Sequence, residues 1–328
     1  MKVESLSGFD GLDAAGWNAL VAASSLPSVF LSWQWQTAWA HAFLGDRALQ
    51  LFTVSEDSGA LVGLLPLYEE AAGPLMRLVG GVDVSDYLDL IAPAGREEEI
   101  WGALLEHRAP AAGEWDLHGI RAASPTLALL PVLAPPHGLG TRIEREERCP
   151  VLALPPTWEA YLARLSGKDR HELRRKMRRL EAELPGTELR SVAGPDGWDD
   201  AMTEFLRLHR LSRAGKARFM DEAMERFFRD ALRALAEAGW ARLWFLDSGG
   251  APIAAFLCLE YGGAVGLYNS GFDPTRARLA PGIVLLGHVI RDAIERGIAV
   301  FDFLRGEEAY KYAFGPVPAD LFTVRVAP

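Results

Sequence analysis

The 328-residue chain is 49% hydrophobic and 24% charged, a globular balance with length enough for two ordinary domains and a sizeable core. Its formal net charge of −10 excludes a surface that binds nucleic acid or anionic membrane over its whole extent and leaves room only for a local basic patch. The two cysteines, Cys149 and Cys258, fit no metal spacing and suit a reducing compartment; with no secretory start and no apolar run of the roughly 18–20 residues that span a bilayer, a cytoplasmic protein is expected.

A first helix is predicted over 12–24, with Trp17, Leu20 and Val21 on one face. Ser32 is placed to N-cap a second helix over 33–43, where Trp35, Trp39 and Phe43 recur every four residues as a core stripe. Segments 49–54 and 61–68 read as strands joined by the turn SEDSGA, hence antiparallel. Two more strands are expected at 75–79 and 87–91, then a helix at 96–106, a strand at 115–119 and a helix at 125–133. This alternation suits a small mixed α/β domain. Breakers at 134–138 and 155–157 bracket a domain boundary, giving domains of 1–145 and 146–328.

Thr157 caps a helix with Trp158, Tyr161, Leu162 and Leu165 inward. The most basic run of the chain follows over 166–180; Leu173, Met177 and Leu180 recur at helical spacing under a cationic face that holds Arg170, Arg174 and Arg178. That face is an anion site or a solvated surface. It has no interleaved aromatics for stacking bases. Helices are predicted over 198–211 and 220–238, separated by a basic connector at 213–218. Strands at 241–246 and 252–261 flank the hairpin turn Asp247-Ser248-Gly249-Gly250, and Gly262-Gly263 leads into a third strand at 264–269.

The stretch 264–315 is the most informative. A strand, a basic loop at 276–282, a helix at 283–296 closed by Gly297 and a strand at 298–304 make a unit whose two strands run parallel. A helix N-terminus after a strand exposes free backbone N–H groups, and Arg276 and Arg278 stand just before it, which favours an anion such as a pyrophosphate. The far strand carries Asp302 near its end and is followed by Arg305, Glu307, Tyr310 and Lys311, on the side where open α/β sheets bind ligands. The same residues also suit an ordinary turn with a charged rim. A last strand is expected at 321–326.

This order of elements resembles the GNAT acetyltransferase fold, in particular its Fem-like, cellulose-biosynthesis-associated branch. The resemblance is carried by WQWQTAW from Trp33, LVGLLPLY from Leu61, Asp86-Tyr87-Leu88-Asp89, the 170–180 helix, YNSGFDP from Tyr268 and, most specifically, FDFLRGEEAYK from Phe301. It implies an α/β fold of mixed sheets in two tandem GNAT-like domains. It further implies transfer of an acyl group from acetyl-CoA or another acyl-CoA, without a metal, to an amine or hydroxyl of a sugar or a cell-envelope or exopolysaccharide precursor. The phosphate loop matches Arg278 to Ile283, so Arg276, Arg278, Ala280, Gly282 and Ile283 are the expected donor contacts. Pro281 departs from the pattern and removes one N–H. Fem-type transferases share the architecture and use aminoacyl-tRNA, a donor the 170–179 helix would suit; a GNAT-like scaffold that only binds a precursor is the third alternative.

Acyl transfer needs a base for the nucleophile, donors for the oxyanion and an acid for the leaving group. No nucleophile elbow or catalytic cysteine context stands in the sequence, so direct transfer in a ternary complex is expected. Asp302, Glu307, Asp86 or Asp89 are the expected bases, Tyr268 and Tyr310 the acids. Asp89, Arg170, Arg174, Arg305, Tyr310 and Lys311 are the expected substrate contacts.

Overall fold

The computed structural model describes residues 1–71, 73–108 and 113–328. It begins with β1 (Lys2–Leu6), which no sequence signal announces because none of its residues is fully buried. Helix α1 (Ala14–Ala23) starts where Asp13 accepts from the Gly16 amide, and buries Trp17, Leu20 and Val21. Helix α2 (Trp33–Trp39), capped by Ser32, runs on into a π-helical turn over Ala40–Leu44. Then come β2 (Leu49–Ser55), β3 (Leu61–Glu69), β4 (Leu75–Leu78), α3 (Glu97–His107), β5 (Glu114–Arg121), α4 (Thr126–Leu133) and β6 (Gly140–Ala153). Helices α5 (Trp158–Arg164) and α6 (Gly167–Glu183) open on Thr157 and Ser166 caps. After β7 (Glu188–Ala193) come α7 (Trp198–Ser212), α8 (Ala214–Phe219) and α9 (Glu222–Glu237). The chain ends with β8 (Ala241–Ser248), β9 (Ala251–Tyr261), β10 (Ala264–Phe272), α10 (Pro281–Glu295), β11 (Val300–Asp302), α11 (Ala309–Tyr312) and β12 (Val317–Ala327).

Two expectations need correction. Residues 87–91 are not a strand: only Ile91 bridges to Leu64, while Tyr87, Leu88 and Leu90 are buried in coil. The apolar run there reflects burial, not pairing. Conversely, the boundary region at 135–156 holds the 14-residue strand β6. Its charged residues hid it; they are used across the ladder, where Arg148 donates to Asp320 at 2.9 Å and Thr323 donates to Glu146 at 3.1 Å.

The chain forms two units, Met1–Arg148 with Ala319–Pro328, and Cys149–Pro318. The last strand, expected with the second half, thus returns to the first unit, where β12 pairs antiparallel with β5. Sheet order in the first unit is β1-β2-β3-β4-β5-β12-β6. In the second unit residues 151–153 of β6 pair with β11, followed by β10, β9, β8 and β7. Strands alternate their faces. Ala254, Phe256 and Cys258 of β9 therefore join the cluster built on Val284, Leu285 and Val289 of α10 and Leu173 of α6. The intervening Ala255, Leu257 and Leu259 are buried on the other face, where α7 and α9 pack.

Candidate functional site

Strands β10 and β11 pair in parallel over only three positions, ending at Gly266 and Asp302. Beyond that, β10 continues to Phe272 and bulges at Tyr268, where the register jumps from Leu267/Cys258 to Asn269/Leu257. The parting has a local cause. Asp302 accepts the Leu304 amide at 2.8 Å, and Leu304 takes a left-handed conformation (φ 55°) that turns the chain away. The Leu304 side chain lies over Gly266, where a Cβ would stand 3.2 Å from it.

Beside the parted end of β10 lies a cavity of about 220 Å³. One wall is Phe256 of β9 with Ser270, Gly271 and Phe272 of β10; a second is Ser212, Arg213 and Lys216 at the α7–α8 junction. The mouth of α10 supplies Ala277, Ala280, Pro281, Gly282 and Ile283, and the segment after β11 supplies Glu308 and Tyr310. Gly271 is required here because β10 runs hard against α7: a Cβ on it would meet the His209 backbone nitrogen at 2.4 Å.

Lys216 donates to the Ser270 carbonyl oxygen and, at 3.1 Å, to Ser270 Oγ. Burial, aided by Arg213 and opposed by Glu308, brings its pKa down to about 8. His209 is held down to about 4 by burial and then by Lys216, and stays neutral; its Nε2 lies 2.9 Å from Asn269 Oδ1. Lys311 is buried, donates to the carbonyls of Arg305 and Gly306 at 2.7 and 2.9 Å, and pairs with Glu308 at 2.9 Å. Burial raises the Glu308 carboxyl, but Lys311, a backbone hydrogen bond and Lys216 together outweigh this and the net shift is downward. Tyr310 is pushed up to about 12, by burial and then by Glu308.

The α10 N-terminus has no side-chain cap; Ala280 precedes it at φ 50°. The amides of Ile283 and Val284 turn to the Ala280 carbonyl and Pro281 has none to offer, so of the first turn the N–H of Gly282, which lines the cavity, is left for a ligand.

Of the residues singled out in the sequence, Ala280, Gly282, Ile283 and Tyr310 line this cavity. Arg276 and Arg278 are exposed on the turn before it, and Arg278 pairs with Glu183 of α6. Lys311 and Arg305 shape the Glu308 segment from behind through the bonds just described. Asp302 is engaged in its own turn, and Glu307 accepts from Tyr312 OH at 2.9 Å. The Tyr268 ring stacks 5.7 Å from Phe228 of α9. On α6, Arg170 reaches the Leu162 carbonyl at 3.4 Å while Arg174 stands in solvent. Asp86 and Asp89 belong to the first unit. There Asp89 accepts from Thr126 Oγ1 at 2.6 Å, from Ser124 Oγ and from the Leu90 amide at 2.8 Å; its carboxyl is raised by burial despite those bonds.

Sequence reasoning missed Arg213, Lys216, Ser270 and Glu308. The connector at 213–218 was legible as basic, but nothing local marks which of its cations becomes partly buried. The one usable signal was the polar pair Asn269-Ser270 inside an apolar strand. Among the described residues, no group of three or more His, Cys, Asp or Glu could hold a metal, and no helix is long and apolar enough to cross a membrane.

Residues 167–312 match the family described as Acetyltransferase (GNAT) domain. A search of the curated proteins finds no match. Among solved structures the chain is similar to FemX, with 12% identity, TM-score 0.68, and coverage of 98% of this chain and 97% of that one. It is also similar to a conserved protein of unknown function from Bacteroides thetaiotaomicron (13%, TM-score 0.66, 100% of both chains). A third is the C-terminal domain of a putative lysylphosphatidylglycerol synthetase from Agrobacterium fabrum (13%, TM-score 0.62, 96% and 91%). At such identities the likeness is one of fold.

Proposed function

We propose that this chain, an acyltransferase by virtue of its GNAT domain at 167–312, moves an acyl group from acyl-CoA to an amine or hydroxyl of a sugar or cell-envelope precursor, with the reacting ends meeting beside Ser270. The observation that carries the reading is the parting of β10 from β11 after Gly266, next to a cavity that also receives the mouth of α10. A strand edge offers backbone groups to an extended amide-bearing donor arm. The first turn of α10, lined by Ala280, Gly282 and Ile283, offers the Gly282 N–H and a partial positive charge to the donor's phosphates. Arg276 and Arg278 add a screened attraction from outside. Calorimetry with acetyl-CoA and longer acyl-CoAs tests this: micromolar binding is expected, and no binding of any acyl-CoA rejects the donor.

A second reading, aminoacyl transfer from tRNA, is favoured by two features. Pro281 removes a phosphate-binding N–H, and α6 presents Lys168, Arg174, Arg175 and Arg178 to solvent on an otherwise acidic chain. The likeness to FemX and to a lysylphosphatidylglycerol synthetase domain points the same way. Because phosphate contacts release counterions, such binding would weaken steeply with salt; a gel shift that stays negative at low salt removes it. Binding of acyl-CoA without turnover on any amine or hydroxyl would leave the scaffold alternative.

A further inference from the structure

We propose that Lys216 carries the proton in this transfer, taking it from the attacking amine and handing it to the leaving sulfur, while Ser270 holds it in place. The inference rests on the acyl-transfer reading above and names the group that reading needs. Four titratable side chains line the cavity: Arg213, Lys216, Glu308 and Tyr310. Arg213 offers only N–H donors and no acceptor for a proton. Glu308 is committed to Lys311 at 2.9 Å. The carboxylates expected from the sequence, Asp302 and Glu307, are not among the cavity's lining and are bonded to the Leu304 amide and to Tyr312 OH.

Lys216 differs from these. Its ammonium has three protons, and Ser270 accepts two of them, through its carbonyl oxygen and Oγ. The third is left for the cavity. Because Ser270 Oγ accepts from Lys216, its own hydroxyl proton is available to an acyl oxygen on the same side. Four charged or titratable groups surround the amine. Arg213 beside it and neutral His209 on α7 disfavour or leave unchanged its charge, Glu308 across the cavity favours it, and Tyr310 is neutral. Together with burial they bring Lys216 to about 8, close to the ~8.5 of an ordinary thiol. Handing a proton to a thiolate from Tyr310, at about 12, would be uphill by more than ~10³ in equilibrium.

The step balances. Neutral Lys216 takes the N–H proton as the amine nitrogen bonds to the thioester carbonyl carbon. The oxyanion then collapses, the C–S bond breaks, and the Lys216 ammonium protonates the sulfur. An amide and a free thiol result, with Lys216 neutral again.

The test uses the full chain with the acyl-CoA that binds it. Lys216→Met and Lys216→Arg should lower kcat at least ~10²-fold with donor binding retained, and the wild-type rate limb near pH 8 should vanish. Lys216→Ala should be rescued by added ethylamine, which a merely structural lysine would not allow. Independently of any acceptor, competitive amine labelling of the wild type, read by peptide mass spectrometry, should titrate Lys216 near 8. Turnover within a few-fold of wild type in Lys216→Met, or a labelling midpoint at an ordinary lysine value, overturns this inference alone. A wild type that binds no acyl donor overturns the acyl-transfer reading and this inference with it.

Discussion

Substituting Gly271 by alanine should unseat the wall of the cavity, whereas the same change at Gly282 should not. At Gly271 the new Cβ would lie 2.4 Å from His209 N, 2.5 Å from Leu208 C and 2.8 Å from His209 Cα. All three are backbone atoms of α7, so no rotamer can yield. Restoring ordinary contact means moving β10 and α7 apart by about 1 Å, an overpacking that costs about 3 kcal/mol. For a unit of this size that lowers the melting temperature by roughly 6–12 °C. At Gly282 nothing lies within 4 Å and the backbone is helical. Alanine there should leave stability unchanged or raise it by up to about 1 kcal/mol, while placing a methyl in the cavity mouth. Urea melts of both variants, with acyl-CoA calorimetry, separate the two effects. Gly271→Ala as stable as wild type to within about 0.5 kcal/mol would refute the close approach of β10 to α7.

Three further outcomes are expected. Lys311→Met removes the partner of the half-exposed Glu308 and strips the carbonyls of Arg305 and Gly306 of their donor, so denaturant unfolding should show a loss of about 2 kcal/mol, carried by the two carbonyls. Lys216 sits near 8 in the folded chain against 10.5 when unfolded. The unfolded chain therefore binds more protons between those values, and stability should rise with pH across that window. Lys216→Met should lack this rise; at pH 7 it gains up to about 3 kcal/mol from the removed burial penalty, less its two bonds to Ser270. Asp89 has the opposite sign. Burial raises its folded value above 3.8, so its contribution is full below 3.8 and is lost as pH rises through the folded value. Wild type should accordingly weaken relative to Asp89→Asn over that range in urea midpoints, and parallel curves would contradict the buried carboxyl.

What the sequence determined by itself was local. The helix periods of α7, α9 and α10, the Ser32 and Thr157 caps and the hairpin turn at 247–250 all follow from spacings within a few residues. So does the mouth of α10, a proline-glycine helix start after a strand. Tertiary structure decided the rest, because pairing partners and burial depend on residues far apart in the chain. Strand β6 is recognisable only beside β12, and Lys216 meets Ser270 across 54 positions. A lysine's sequence neighbours do not say whether water will reach it. The approach of α7 to Gly271, which sets where β10 runs, is visible only once the helix lies on the sheet.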